Sequence, residues 1–330
     1  MRYPLMRTGG AAGRKEIGMP SARQARHTRQ LALAALGVAL AWSLPAWSAR
    51  FNTREEDDAR YHPAVAIPAY DGPVHPVVLV DEAHHDLGTV AGRLRAFAVL
   101  LGKDGYRVKP NRSAFDRAHL AAAEVLVIDD PTPAVAGKNG GITDAEADAV
   151  RDWVQAGGSL LFVAEPLSVL GRVAGLARRL GVDLSQGHTF DPAQAGSAGA
   201  PSTWLVYSRE NGLLGEHPIT RGREEIERLH TVTAFHGQSI LGPEGSVAFL
   251  RLADTALDQD EDGENTPALG RAQGIAFELG KGRVVVLGDG SLLTARQVAD
   301  GALLLGMNRP GNDDRQLALN VVHWLSRLLG

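Results

Sequence analysis

No cysteine occurs among the 330 residues, and its absence removes whole classes of chemistry: disulfides, Cys-ligated zinc, iron-sulfur clusters, a thiol nucleophile and a lipid-modified N-terminal Cys. A basic excess is missing as well. With 34 Lys+Arg against 38 Asp+Glu, the composition supplies no positive field for a nucleic-acid groove. The sequence contains no G-x-x-x-x-G-K-[ST] phosphate loop and no G-x-S-x-G nucleophile elbow, so neither an NTPase nor an α/β-hydrolase reading has its motif. Aromatics make up only 5%, while 38 glycines and 17 prolines leave room for many turns, as an α/β chain with frequent strand-helix connections requires.

What is present begins with a leader. Arg2, Arg7, Arg14, Lys15, Arg23, Arg26 and Arg29 stand against the single acid Glu16, and Leu31 to Leu44 is almost wholly apolar. This is a secretory signal layout, with Pro45 ending the helix and small Ala46 and Ser48 placing cleavage before Ala49. Residues 1–48 are therefore read as a signal peptide, with Met1 or Met19 as the start, and the location as periplasmic or secreted. An uncleaved membrane anchor is the alternative, and only then does the chain touch a membrane. Without the leader the charge falls to about -10, which disfavours anionic surfaces. Residues 49–75 mix charges with Pro63, Pro68 and Pro73 and read as a linker or surface arm.

From residue 76 to 330 the pattern is that of one domain. Val77-Val78-Leu79-Val80, Glu124-Val125-Leu126-Val127-Ile128 and Ser159-Leu160-Leu161-Phe162-Val163 are continuous apolar runs, the mark of strands buried on both faces. Between them fall helical stripes: Val90, Leu94, Phe97 and Leu101, then Ala147, Val150 and Val154 behind a Thr143/Glu146 capping box, then Val169, Val173, Leu176 and Leu180. Alternating strands and helices predict a doubly wound, mainly parallel α/β sheet. Strand candidates at 204–207 and 247–250 and an acidic loop at 254–265 follow. Ile275 to Leu279, the turn Gly280-Lys281-Gly282 and Val284 to Leu287 read as an antiparallel hairpin. Leu317, Val321, Trp324 and Leu328 mark a last helix capped by Asn312 or Asp313.

These elements carry a resemblance. Trp153-Val154-x-Ala156-Gly157-Gly158-Ser159-Leu160-Leu161, His217-Pro218-Ile219-Thr220 and Gly280-Lys281-Gly282-Arg283-Val284-Val285-Val286-Leu287-Gly288-Asp289 resemble the class I glutamine amidotransferase-like superfamily. Asp81-Glu82-Ala83-His84-His85 and the 312–325 segment are similar to an uncharacterised secreted branch, which looks related to auxiliary components of gliding-motility-type ABC transporters. The resemblance implies a flavodoxin-like fold. It also implies a Cys nucleophile in the turn after a central strand, where this chain has Ala164-Glu165-Pro166, so glutaminase activity is not expected.

The candidate site lies at the strand ends, where open α/β sheets bind ligands. Asp81, Glu82, His84, His85 and Asp289 form the expected ligand-binding crevice, with Asn312 and Arg315 as its far wall. A second possibility is a divalent metal held by Asp81, His84, Asp129 and Glu165, which would make the chain a metal-dependent hydrolase; without it no cofactor is implied. Asp81 to His84 also spells a helicase acid box, but an accidental one given the missing phosphate loop. Asp258, Asp260, Asp262 and Gly263 imitate half a calcium loop whose twelfth position is Leu269 instead of Glu. His323 reads as a packed, hydrogen-bonded core histidine. On this evidence a noncatalytic binding or accessory protein of unknown ligand or protein partner is favoured. The metal hydrolase and an anchored transporter component stand behind it.

Overall fold

Val77 to Val80 forms a strand because each of its side chains finds apolar cover on one face or the other, leaving Val78 and Val80 with no exposed surface. The computed structural model describes residues 55–131, 141–166, 173–195, 202–298 and 303–330. Among these, nine strands share the largest sheet: β1 (Val77–Asp81), β2 (Arg107–Asn111), β3 (Val125–Asp129), β4 (Ser159–Val163), β5 (Asp183–Leu184), β6 (Ile240–Leu241), β7 (Val247–Arg251), β8 (Ala272–Leu279) and β9 (Gly282–Leu287). Their order is β2-β1-β3-β4-β9-β8-β6-β5, with β7 also paired to β8. Pairing is parallel from β2 through to β9 and antiparallel beyond it. The expected hairpin is therefore present, and its second strand doubles as the last parallel strand.

Side-chain alternation sorts the sheet into two apolar faces. Val78, Val80, Val125, Val127, Leu161, Val163, Val285 and Leu287 pack with Phe97 and Leu101 of α1 (Arg95–Lys103) and with Leu317 and Val321 of α4 (Asp314–Leu325). Leu79, Leu126, Ile128, Leu160, Phe162, Val284 and Val286 pack with Val150 and Val154 of α2 (Asp144–Ala156) and with Leu176 and Leu180 of α3 (Ala174–Leu180). The result is a mixed α/β layering with helices on both faces of one sheet. The Thr143/Glu146 capping box opens α2 as expected, and Gly157 at φ 128 ends it.

Several expectations change. The helix read from Val90 begins at Arg95, because residues 89–94 close instead as turns in which Gly92 and Leu94 both donate to the Thr89 carbonyl. The acidic stretch 254–265 is not merely a loop. Leu257–Gln259 pairs with His188–Phe190 on one side and Asn265–Pro267 on the other. Asp258 accepts from the Thr189 and Ser239 hydroxyls, and Asp260 accepts from the Asp262 and Glu264 backbone N–H groups, so these two carboxylates have structural partners within the chain. Residues 55–75 lie on the domain as a tied arm: Glu55–Asp57 pairs with Ala295–Val298, and Ala69 and Tyr70 donate to Asp104. Residues 55–330 form one compact unit. The expected signal peptide at 1–48 and Val169 fall outside the described residues, and among the described residues no helix is long and apolar enough to cross a membrane.

Candidate functional site

Because β1, β3, β4 and β9 are neighbours, the acids that end or follow them are brought to one edge of the sheet: Asp81, Asp129, Glu165 and Asp289. The strand-end convergence expected from the sequence is therefore present. The geometry within it differs from the expected crevice. Asp81 has no exposed surface; one of its oxygens accepts from Asn111 Nδ2 and the Ala83 N–H, each at 3.2 Å, and the other faces His84 Nδ1 at 2.6 Å. The second His84 nitrogen faces Glu146 Oε1 at 2.9 Å. Glu146 is in turn held by Thr143 in the capping box and accepts from the Phe115 N–H.

A carboxylate faces each ring nitrogen, an arrangement that favours the protonated imidazolium. Burial opposes that charge, yet the bonds to Asp81 and Glu146 outweigh it and raise its pKa. Both ring nitrogens are engaged by these carboxylates. Glu165 is likewise committed, to Arg93 at 2.6 Å and to the Gly290 N–H at 3.1 Å. The proposed metal set of Asp81, His84, Asp129 and Glu165 is therefore not assembled, and among the described residues no three His, Asp or Glu side chains are placed to hold a metal ion.

The other members of the expected crevice also separate. Glu82 accepts from the Val90 N–H and pairs with Arg112, and His85 is exposed at φ 58. Asp289 is buried and spends both oxygens on backbone and hydroxyl donors: Phe235 and His236 N–H on one, Ser291 N–H and Oγ on the other. Asn312 bonds Asp314 and the Gly306 carbonyl. Arg315 is exposed, with Tyr61 in reach of its charge, and forms no far wall. A strand-end acid satisfied by neighbours is a capping group, and this is what most of the polar run is. Replacing His84 with alanine strands Asp81 and Glu146, so a loss of about 2 kcal/mol or more in denaturant melts is expected. A loss below about 0.5 kcal/mol would contradict the network.

The unresolved charge sits one strand further in. Asp129 is fully buried, and neither of its carboxylate oxygens has a hydrogen-bond partner among the described residues. It is wedged between two glycines: a Cβ at Gly88 would stand 1.9 Å from one oxygen, and one at Gly290 would stand 3.0 Å from the other and 2.6 Å from Glu165 Oε1. Burial, opposed by Arg93 and reinforced by Glu165, Asp130 and Asp289, pushes the Asp129 carboxyl up to about 7. Burial raises Glu165 too, and burial together with Asp81, Asp129 and Asp130 drives Asp86 well up. Arg93 balances this group. Burial works against its charge, but Glu165, Asp129, Asp289 and Asp130 hold it firmly protonated. The sequence reading missed Arg93 and Asp86. Arg93 stands one residue before a core leucine and looks like a solvent-facing helix position; only the strand order shows what it meets.

Comparison with known proteins gives the chain a family. The model of the domain of unknown function DUF4350 matches residues 94–305. The chain belongs to the DUF4350 family. That match takes in α1 and every strand of the sheet except β1, and it includes Asp129, Glu165 and Asp289 but begins just after Arg93. No curated protein matches the chain. Among solved structures, the mmIFT52 N-terminal domain is similar at 12% identity and TM-score 0.50, over 76% of this chain and 97% of that one. A cytoplasmic protein from Salmonella typhimurium LT2 is similar at 15% identity and TM-score 0.41, over 76% and 97%. A cold-adapted β-galactosidase from Rahnella sp. R3 is similar at 14% identity and TM-score 0.41, over 77% of this chain and 31% of that one. At such identities the first likeness speaks for the fold alone, and the other two support no argument.

Proposed function

We propose that this DUF4350 chain is a noncatalytic binding or accessory module of an exported protein, built on a flavodoxin-like sheet of the class I glutamine amidotransferase-like kind. One observation carries the reading. In the turn after β4, where the resemblance calls for a Cys nucleophile, Glu165 is tied to Arg93 and to the Gly290 N–H, so the position is a structural clasp. The neighbouring acids that a hydrolase would need are either capped or pressed between glycines. The strand order β2-β1-β3-β4-β9 fits the flavodoxin-like pattern. The exported location rests on the basic and then apolar N-terminus, with an anchored form as the alternative outcome of N-terminal sequencing.

The reading is tested by incubating purified protein with glutamine and measuring ammonia. Release equal to the buffer blank is expected, for the wild type and for Glu165→Gln alike. Turnover that is reproducible in the wild type and lost in Glu165→Gln would overturn the noncatalytic assignment.

A further inference from the structure

The loop that leaves β1 is fastened to the end of β3 by long backbone hydrogen bonds. Leu87 N–H donates to the Asp130 carbonyl at 3.2 Å and Gly88 N–H to the Asp129 carbonyl at 3.5 Å, and Asp86 stands opposite Pro131 in an isolated bridge. Each side of this contact carries a residue in left-handed backbone, His85 at φ 58 and Asp130 at φ 50. Side chains other than glycine rarely adopt that conformation, so the contact holds both segments away from easier ones. Beneath it lie Asp86 and Asp129. Both are more than nine-tenths buried, and no N–H or hydroxyl donor among the described residues reaches either carboxyl.

We propose that this contact is a proton-operated latch: with Asp86 and Asp129 protonated, the loop at residues 82–90 lies closed on residues 129–131, and their ionisation releases it. The latch is independent of whether the chain is catalytic. Asp86 faces Asp81, Asp129 and Asp130, while Asp129 faces Arg93, Glu165, Asp130 and Asp289. Asp81 is in turn engaged by His84, which Glu146 holds from α2. The two cations among these groups are committed, Arg93 to Glu165 at 2.6 Å and His84 to Asp81 and Glu146. A carboxylate formed at Asp86 or Asp129 therefore depends on water for its donors, and parting the loop admits water. Release uncovers the carboxyl ends of the strands, the edge at which open α/β sheets bind ligands.

The direction follows from the burial. Burial outweighs Arg93 and pushes Asp129 up to about 7, and burial together with Asp81 drives Asp86 well up. The closed loop is therefore favoured in acid and loses its hold as pH rises through about 7. Return of Asp129 alone to the ordinary carboxyl range on opening makes the open form about thirtyfold more accessible at pH 8.5 than at pH 5.5. Hydrogen exchange of the purified full chain, read by mass spectrometry and corrected for the intrinsic rate at each pH, tests the proposal. Protection of residues 82–90 should fall at least tenfold from pH 5.5 to 8.5 and stay below that of β4 and α4 at both, which separates release from global unfolding. The fall should shrink to threefold or less in the Asp86→Asn/Asp129→Asn double variant. Asp116→Asn, which changes an exposed carboxyl, should keep the wild-type fall. Wild-type protection of 82–90 that is equal at the two pH values, or equal to that of β4 throughout, would overturn the latch, as would a fall undiminished in the double variant.

Discussion

Replacing Arg93 with methionine is expected to cost about 3–5 kcal/mol of stability at pH 8, because it removes one partner of a largely buried pair and leaves the other charged. The guanidinium is the cation that Glu165, Asp129, Asp289 and Asp130 share. Methionine keeps most of the stem's volume, so the loss reports charge more than packing. The same substitution should cost less at pH 5.5, where the Asp129 carboxyl, pushed up to about 7, takes up its proton and no longer requires a counter-charge, with the raised Asp86 and Glu165 carboxyls acting in the same direction. Urea unfolding of wild type and variant at the two pH values measures both. A loss under about 1 kcal/mol, or one equal at the two pH values, would show that Arg93 is not the cation on which the cluster depends.

Asp129→Asn should act in the opposite direction and stabilise the protein at pH 8, by about 2–4 kcal/mol, since it removes a buried anion that has no hydrogen-bond donor. The sign follows from the proton balance. Asp129 is raised in the fold to about 7, so between its unfolded value and 7 the native state holds the extra proton. Its favourable contribution is complete below the unfolded pKa and is lost as pH rises through 7. Wild-type stability therefore gains from this group as pH falls from 8 toward 5. His217, lowered to about 4 by burial and by Arg221 and Arg283, pulls the other way below about 6.5, because its neutral fold loses ground as the unfolded ring protonates. The difference between wild type and Asp129→Asn cancels His217 and reports Asp129 together with the neighbouring acids it is coupled to. Unfolding curves from pH 5 to 8 should show the variant's advantage at pH 8 shrinking toward pH 5, and an Asn variant less stable than wild type at pH 8 would refute the buried-anion account.

The sheet was legible where burial on both faces forces continuous apolar runs, as in Val77 to Val80 and Leu160 to Val163, and where a cap has a spelled chemistry, as in Thr143 and Glu146. The two-residue strands β5 and β6 were not, since two residues carry no period; they exist because Arg271 clasps Asp183 and Ser239 across them. In the site, positions were readable and partners were not. The acids at strand ends could be placed from the sequence alone, but that His84 spends its nitrogens on Asp81 and on Glu146 depends on the first turn of α2 lying beside the loop that follows β1. His323 was readable because its apolar helix left it no solvent, and it pairs with Asp104 at 2.7 Å. Asp258 was read only as part of an acidic loop since nothing local distinguishes it from Asp260; its buried role comes from Thr189 and Ser239, both distant in the chain.

The hairpin β8–β9 joins two kinds of contact with very different histories. Its own pairing, Leu279 with Gly282 and onward, closes a tight turn and costs little chain entropy. Seating β9 beside β4, which sets Arg283 against Ser159, closes a loop that includes α3 and all the intervening strands. Pairing of the first kind is local, whereas the second carries the larger loop-closure cost. Asp289 follows β9, so it meets Asp129 and Glu165 only once that long-range pairing is made. Electrostatic repulsion at the strand ends then weighs on how long the finished molecule stays folded more than on how quickly its early pieces form.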